Sequence, residues 1–366
     1  MTRWRFVTAL AFTLSACGGA ASVVTDDAAT VSPDVTSADT PFQIDLPALL
    51  PRDQDAGVIY DVQAASDTPA DVRSSDASGR GPPYPIVLVH GFAGFRDIGP
   101  VNYYFNVARD LRARGETVFE AELTPFAPPA QRAPLLARYL DTVVFPQTRS
   151  AKVVLIAHSQ GGLDSRYLIS SMGYGDRVAA LVTISTPHQG TRIADAFLGY
   201  IPGGADPLLN VAATLFGFSY NDVRNNADLR ATLHALSERN APAFNQANPD
   251  DARVAYWSYG GRSNRRDGRE VCQDATVANN PNQLDNTALA LFPFASFLEQ
   301  DNATTHANDG MVEVRSARWG RFGGCIPADH FDEVGQIARL APNLESGFFH
   351  LQFYRDLVQR LRREGF

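Results

Sequence analysis

The stretch Val153-Val154-Leu155-Ile156-Ala157-His158-Ser159-Gln160-Gly161-Gly162 constrains the fold more than any other part of the chain. Five apolar residues in a row suit a strand buried on both faces, and the small residues that follow suit a tight turn opening a helix. Small residues two places before and two places after Ser159 let the backbone bend sharply enough to lift the hydroxyl above a sheet edge, which is the physical basis of the G-x-S-x-G elbow. Here the first small residue is Ala157 in place of Gly. The competing reading is a serine that only caps the helix. Its position directly behind a buried strand favours a nucleophile.

The same strand-then-helix grammar recurs along the chain. Apolar runs at 86–89, 117–121, 153–157, 180–184 and 254–257 read as strands. Between them, 102–114, 134–144 and 163–172 carry apolar residues at helical spacing. Strands alternating with helices predict a mostly parallel central sheet covered by helices on both faces. Chemistry on such a sheet belongs at the carboxyl ends of its strands.

A serine hydroxyl attacks only when a base takes its proton, and the base is usually oriented by a carboxylate. On this kind of sheet the order along the chain is Ser, acid, His. His188, His234, His306, His330 and His350 all follow Ser159. His330, in the polar loop Pro327-Ala328-Asp329-His330-Phe331-Asp332 beyond the last expected strand, is where a base belongs. His350 falls on an amphipathic C-terminal helix and reads as a packing residue, and His158 is expected to point away from the nucleophile. For the acid, Asp309 in Asn308-Asp309-Gly310 leads, with Asp332 and Asp285 as rivals, because Asn-Asp-Gly is also a common surface turn. Glycines in Val89-His90-Gly91-Phe92-Ala93-Gly94 permit close backbone approach to a reacting carbonyl. The N–H groups of Phe92 and Gln160 are the expected donors to its developing charge.

The first 80 residues follow different rules. Arg3 and Arg5 precede a short apolar run, Phe6 to Leu14, that suits an export signal and is too short to span a bilayer. It ends Leu14-Ser15-Ala16-Cys17, which resembles the lipobox of bacterial lipoproteins; the plainer alternative is an ordinary signal cut at a nearby small residue. Lipidation of Cys17 would tether the protein to a membrane, and Gly18 after it resembles the sorting pattern for the outer membrane or cell surface. Residues 18–80 hold eleven Asp, no Glu, three Arg and no Lys, which accounts for the whole formal charge of −8. So charged a segment, so poor in aromatics, reads as a disordered acidic linker. Its acidity therefore says nothing about substrate, and the scattered basic residues of the remainder make no nucleic-acid footprint.

From about Tyr84 to Leu361 the chain resembles the calcium-dependent bacterial triacylglycerol lipases. The residues that carry the likeness are Tyr84-Pro85-Ile86-Val87-Leu88-Val89-His90-Gly91, the serine elbow, Thr186-Pro187-His188-Gln189-Gly190, Asn308-Asp309-Gly310 and His330-Phe331-Asp332-Glu333-Val334. The resemblance implies an α/β-hydrolase fold over 81–366, a Ser159-Asp309-His330 triad, and a helical insertion at about 190–244, a mobile lid or a permanent cap, whose apolar stretch is Leu208 to Phe216. It implies a structural Ca2+ held by Asp285, Asp332, Gln336 and the carbonyl of Leu340, oxygen donors of the kind calcium takes. It also implies a Cys272–Cys325 disulfide, which leaves Cys17 as the odd cysteine. The resemblance implies a lipid or ester substrate as partner and no organic cofactor; family members often depend on a dedicated folding chaperone, a candidate partner here, while the lipobox adds a membrane reached through the anchor, a departure from the family. The same triad would serve a short-chain carboxylesterase or polyester hydrolase, and a non-catalytic, lipid-anchored surface module is the reading from a different class.

Overall fold

The computed structural model describes residues 81–94, 97–98, 101–204, 208, 212, 216, 226–263, 287–299, 306–336 and 346–366. The expected signal (1–17), linker (18–80), Cys17, Cys272, Asp285 and Leu340 lie outside these residues.

Six parallel strands form the central sheet: β1 (Ile86–Val89), β2 (Val118–Ala121), β3 (Val153–His158), β4 (Val178–Ile184), β5 (Ala255–Gly261) and β6 (Arg321–Ile326). Their spatial order is β2-β1-β3-β4-β5-β6. Ile86 pairs with Val118 on one side and Val154 on the other, so the order reverses at β1. A crevice opens at the carboxyl ends of the strands where connections leave in opposite directions.

Side chains alternate across the sheet. Ile86 and Leu88 face one layer with α1 (Val107–Arg112) and the C-terminal helix α8 (His350–Arg363). Val87 and Val89 face the other, with α2 (Pro129–Tyr139) and α3 (Gln160–Ser170). Both faces are therefore covered, which is why β1 is an unbroken apolar run. α8 turns Phe353, Tyr354, Leu357, Val358 and Leu361 inward at helical spacing. A third apolar cluster joins α4 (Arg192–Phe197), α5 (Ala227–Leu236) and α7 (Phe292–Leu298), α6 being Ala241–Ala247. Leu208 and Ala212 of the expected lid are buried in that cluster, and Ala212 N–H donates to the Leu208 carbonyl at 2.9 Å.

Three expectations need correction. The helix expected at 102–114 starts only at Val107, because Asn106 is in the left-handed region (φ 59°). The one expected from 134 begins at Pro129, a good first helical residue, and runs into a π-helical turn at Leu140–Val144. Strand β6 was not expected at all: Gly323 and Gly324 interrupt what would otherwise be an apolar run.

Candidate active site

Ser159 sits between β3 and α3 with φ 55° and ψ −131°. A non-glycine residue in that region carries strain of about 1–3 kcal/mol, held only when its surroundings fix it. The fixing contacts are present: Ser159 N–H donates to the Ile184 carbonyl at 2.9 Å, and Thr186 Oγ1 donates to the Ser159 carbonyl at 2.7 Å. Two glycines make room for the bend. A Cβ on Gly91 would stand 2.6 Å from the Ser159 Cβ, and one on Gly161 would stand 2.5 Å from the Val89 carbonyl oxygen.

Sequence reasoning placed Asp309 and His330 on separate loops, and the fold joins them. His330 Nδ1 lies 2.7 Å from Asp309 Oδ2, and His330 N–H donates to the Asp309 carbonyl at 2.9 Å. Asp309 Oδ1 accepts the N–H groups of Met311 and Val312 at 2.8 and 2.7 Å. Asp309 is fully buried, and burial alone would raise its pKa; the His330 ring and the two N–H donors outweigh it and hold the carboxyl below its ordinary range. The rival Asp332 holds a different place, its N–H donating to Asp329 Oδ1 at 2.9 Å. His350 packs as expected, with Nε2 2.8 Å from the Phe105 carbonyl.

Ser159 and His330 line one cleft with about 580 Å³ of empty space, part of it open to solvent. Phe92, Phe216, Met311 and Phe331 form its apolar wall, and Gln336 also lines it. Phe92 meets Phe126 and Phe216 edge-on, with ring centroids 5.2 and 5.5 Å apart. Gln160, the other expected donor, is the first residue of α3, where N–H groups have no intrahelical partner.

His158 does not point away from the site. It lines the same cleft, its ring centroid 4.4 Å from that of His330. Tyr103 Oη lies 2.6 Å from its Nδ1 and Glu333 Oε2 lies 2.9 Å from its Nε2. Ser185, itself at φ 46°, donates to Glu333 Oε1 at 2.6 Å. Burial, then the Asp309 charge, pushes the Glu333 carboxyl well above the usual range, and burial, then His330, pushes His158 well below its own. Burial and the Asp309 charge thus favour the protonated form of Glu333. Glu333 belongs to the His330-Phe331-Asp332-Glu333-Val334 motif, but nothing in the sequence marks this role for it, nor for Tyr103 and Ser185.

Among the described residues, His158, His330 and Glu333 form a group whose ligand atoms lie within 4.8 Å of one another. Two imidazoles and a carboxylate are not the all-oxygen set that calcium takes, and these atoms already serve the hydrogen bonds above. Of the four expected calcium ligands, Asp332 is buried and Gln336 is half-buried. Cys325 is disulfide-bonded, and its partner lies outside the described residues.

Residues 136–201, which span β3, α3 and β4, match the PGAP1-like alpha/beta domain family. A triacylglycerol lipase of Pseudarthrobacter phenanthrenivorans is 34% identical, the alignment covering 77% of this chain and 97% of that protein. One of Burkholderia plantarii is also 34% identical, covering 77% and 87%. The crystal structure of Staphylococcus hyicus lipase superposes with a TM-score of 0.55 at 18% identity, over 79% of this chain and 98% of that one, a likeness of fold. With the six-stranded parallel sheet, the strained serine at its switch point and relatives at this identity over nearly their whole length, the chain belongs to the triacylglycerol lipase family, ester hydrolases of the α/β-hydrolase fold.

Proposed function

We propose that this chain hydrolyses acyl esters, with triacylglycerols as the substrate class, through a serine acyl-enzyme. The observation that carries the reading is the buried His330–Asp309 hydrogen bond opening onto the same apolar-walled cleft as Ser159. His330 Nε2 takes the Ser159 Oγ proton as Oγ attacks the ester carbonyl carbon, and Asp309 holds the ring and balances its charge. The N–H groups of Phe92 and Gln160 receive the developing oxyanion; one such donor is worth roughly 3 kcal/mol in comparable enzymes. His330 returns the proton to the leaving alcohol. It then takes a proton from water, which attacks the acyl-enzyme, and returns that proton to Ser159 Oγ as the Oγ–acyl bond breaks and the acid leaves.

Hydrolysis of emulsified trioleoylglycerol, set against a soluble butyrate ester, tests this directly. The wild type turns over both, and Ser159→Ala turns over neither. Turnover of the butyrate ester alone would make the chain a short-chain esterase.

The cation belongs to the same proposal. Asp285, Asp332, Gln336 and the Leu340 carbonyl would hold Ca2+, which supplies a cross-link between loops and takes no part in the chemistry. Two observations support the fit. Asp329 is pushed up to about 6 by burial and then by the Asp332 charge, so a buried pair of carboxyls stands here that a divalent ion would stabilise. Asp329 Oδ2 also accepts the Ala288 N–H at 2.8 Å, tying the segment just after Asp285 to the loop that carries His330. Lipidation of Cys17, with the acidic segment as a spacer from the membrane, completes the proposal. Its test is loss of membrane association in Cys17→Ala with hydrolysis retained.

A further inference from the structure

We propose that Arg132 and Asp164 are positioning residues that hold the two oxyanion donors in register with each other. The inference rests on the reading of Ser159 as nucleophile. Nothing in the sequence motifs marks either residue, yet both are wholly inaccessible to solvent.

The Arg132 guanidinium sits behind the loop that follows β1. Its Nη2 donates to the His90 carbonyl at 2.6 Å, and its Nη1 donates to the carbonyls of Gly91 at 3.2 Å and Thr124 at 2.8 Å. The Gly91 carbonyl belongs to the peptide group whose N–H is that of Phe92, one of the two proposed donors. Because a peptide group is planar, fixing its oxygen fixes the direction of its N–H. The same loop is stitched to its neighbour by Leu123 N–H to His90 Nε2 at 3.0 Å and by Ala93 N–H to the Pro125 carbonyl at 2.9 Å.

From its other edge, Arg132 Nε donates to Asp164 Oδ2 at 2.8 Å. Asp164 stands one helical turn after Gln160, on the helix whose first N–H is the second proposed donor. The Gln160 side chain donates to the Ala127 carbonyl at 2.7 Å, on the segment that leads into α2 and Arg132. One planar cation thus joins the peptide that aims the first donor to the helix that aims the second. Lysine cannot reproduce this, since its single ammonium lacks the rigid fork that reaches all these acceptors. Burial pushes Asp164 up to about 6, so at pH 8 it is ionised and the pair is a full ion pair.

A merely structural role predicts fewer active molecules; a positioning role predicts a changed preference at the carbonyl. Esters and their thiono analogues, with sulfur in place of the carbonyl oxygen, separate the two. Donors held at the oxygen's place discriminate against the larger sulfur, a poorer hydrogen-bond acceptor. The experiment measures kcat and KM for a matched ester and thiono ester at pH 8 in the full-length wild type, Arg132→Lys and Asp164→Asn. The expected result is a fall in kcat on the oxygen ester of about tenfold or more, with KM nearly unchanged. The rate on the thiono ester falls less, so the oxygen-to-sulfur ratio drops in both variants. That ratio does not depend on how much of a variant is folded, because both rates scale with the same active sites. An unchanged ratio in both variants overturns the positioning role. Full activity in Ser159→Ala would instead overturn the reading of the nucleophile, and leaves a distinct signature.

Discussion

At Asp309 and Glu333 two buried carboxyl groups meet in one site, and their surroundings push them in opposite directions. Asp309 receives His330 and two backbone N–H groups, which favour its ionised form, whereas burial and the Asp309 charge favour the protonated form of Glu333. The two therefore differ in their tolerance of an amide. Asp309→Asn removes the charge that balances the imidazolium and is expected to lower kcat by about 10⁴. Glu333→Gln replaces a carboxyl that favours its neutral form by a neutral amide that can still meet His158 and Ser185. Its kcat is expected to stay within about tenfold of wild type, and steady-state kinetics on one soluble ester compares both. An equal loss in the two variants would show that Glu333 carries the charge. Ser159 and His330 were legible in the sequence because local motifs, a small-residue turn and a polar loop after the strands, mark them. Glu333, Tyr103 and Arg132 were not, since their roles come from partners far along the chain: Glu333 meets His158 and Ser185 across 175 and 148 residues, and Arg132 meets His90 across 42.

The segment from β6 to Gln336 is short, carries the proposed base His330 and has little regular structure, its only helical turn being the 3-10 turn Asp332–Val334. Long-range tethers have to hold it: Asp309 to His330, Glu333 to His158 and Ser185, and Asp329 to Ala288. Calcium at Asp332 would add another, so chelation with EDTA is expected to lower the melting temperature and the activity together. At an ion concentration a hundred times its dissociation constant the contribution is about 3 kcal/mol. Restored calcium should bring both back, and identical melting curves with and without EDTA would remove the ion from the account. On the far side of the sheet, Leu357→Ala in α8 is expected to cost about 2–5 kcal/mol in urea unfolding, leaving the kcat of the folded fraction unchanged. Strands β1 to β5 were legible because each carries a short run rich in apolar residues, which burial in the sheet demands. Strand β6 was hidden because its centre is Gly323-Gly324, and the start of α1 was misplaced because a left-handed Asn106 leaves no mark in the spacing of apolar residues.

Over the whole molecule, buried histidines and buried carboxyls pull the response to acid in opposite directions. Burial, then Arg132, lowers His90 to about 3, and burial lowers His158 and His188 well below their ordinary value of 6.5. Each is neutral when folded and takes up a proton when unfolded below 6.5. The stability each contributes is thus complete above pH 6.5 and is lost as pH falls towards the folded value, by about 1.4 kcal/mol per unit for each group. Asp164, raised to about 6, acts in the opposite sense: its contribution is present below 3.8 and lost as pH rises through 6. Asp329, also raised to about 6, and Glu333, raised well above the usual carboxylate range, act in the same sense as Asp164. These three carboxyls oppose the three histidines, so the urea midpoint is expected to fall from pH 6.5 to 4.5 by less than the histidines alone would give. A fall by the full histidine share, about 4 kcal/mol of unfolding free energy per pH unit, would contradict these environments. The proposal centres on Ser159, which stands at the end of β3, has room from Gly91 and Gly161, and lines the same cleft as His330. The measurement that tests it most directly is reaction of the folded protein with a long-chain alkyl phosphonate ester, followed by peptide mass spectrometry. The account predicts one phosphonyl group per chain, on the peptide containing Ser159, formed in step with loss of esterase activity. Activity lost with Ser159 unmodified, or retained with Ser159 fully modified, would contradict it.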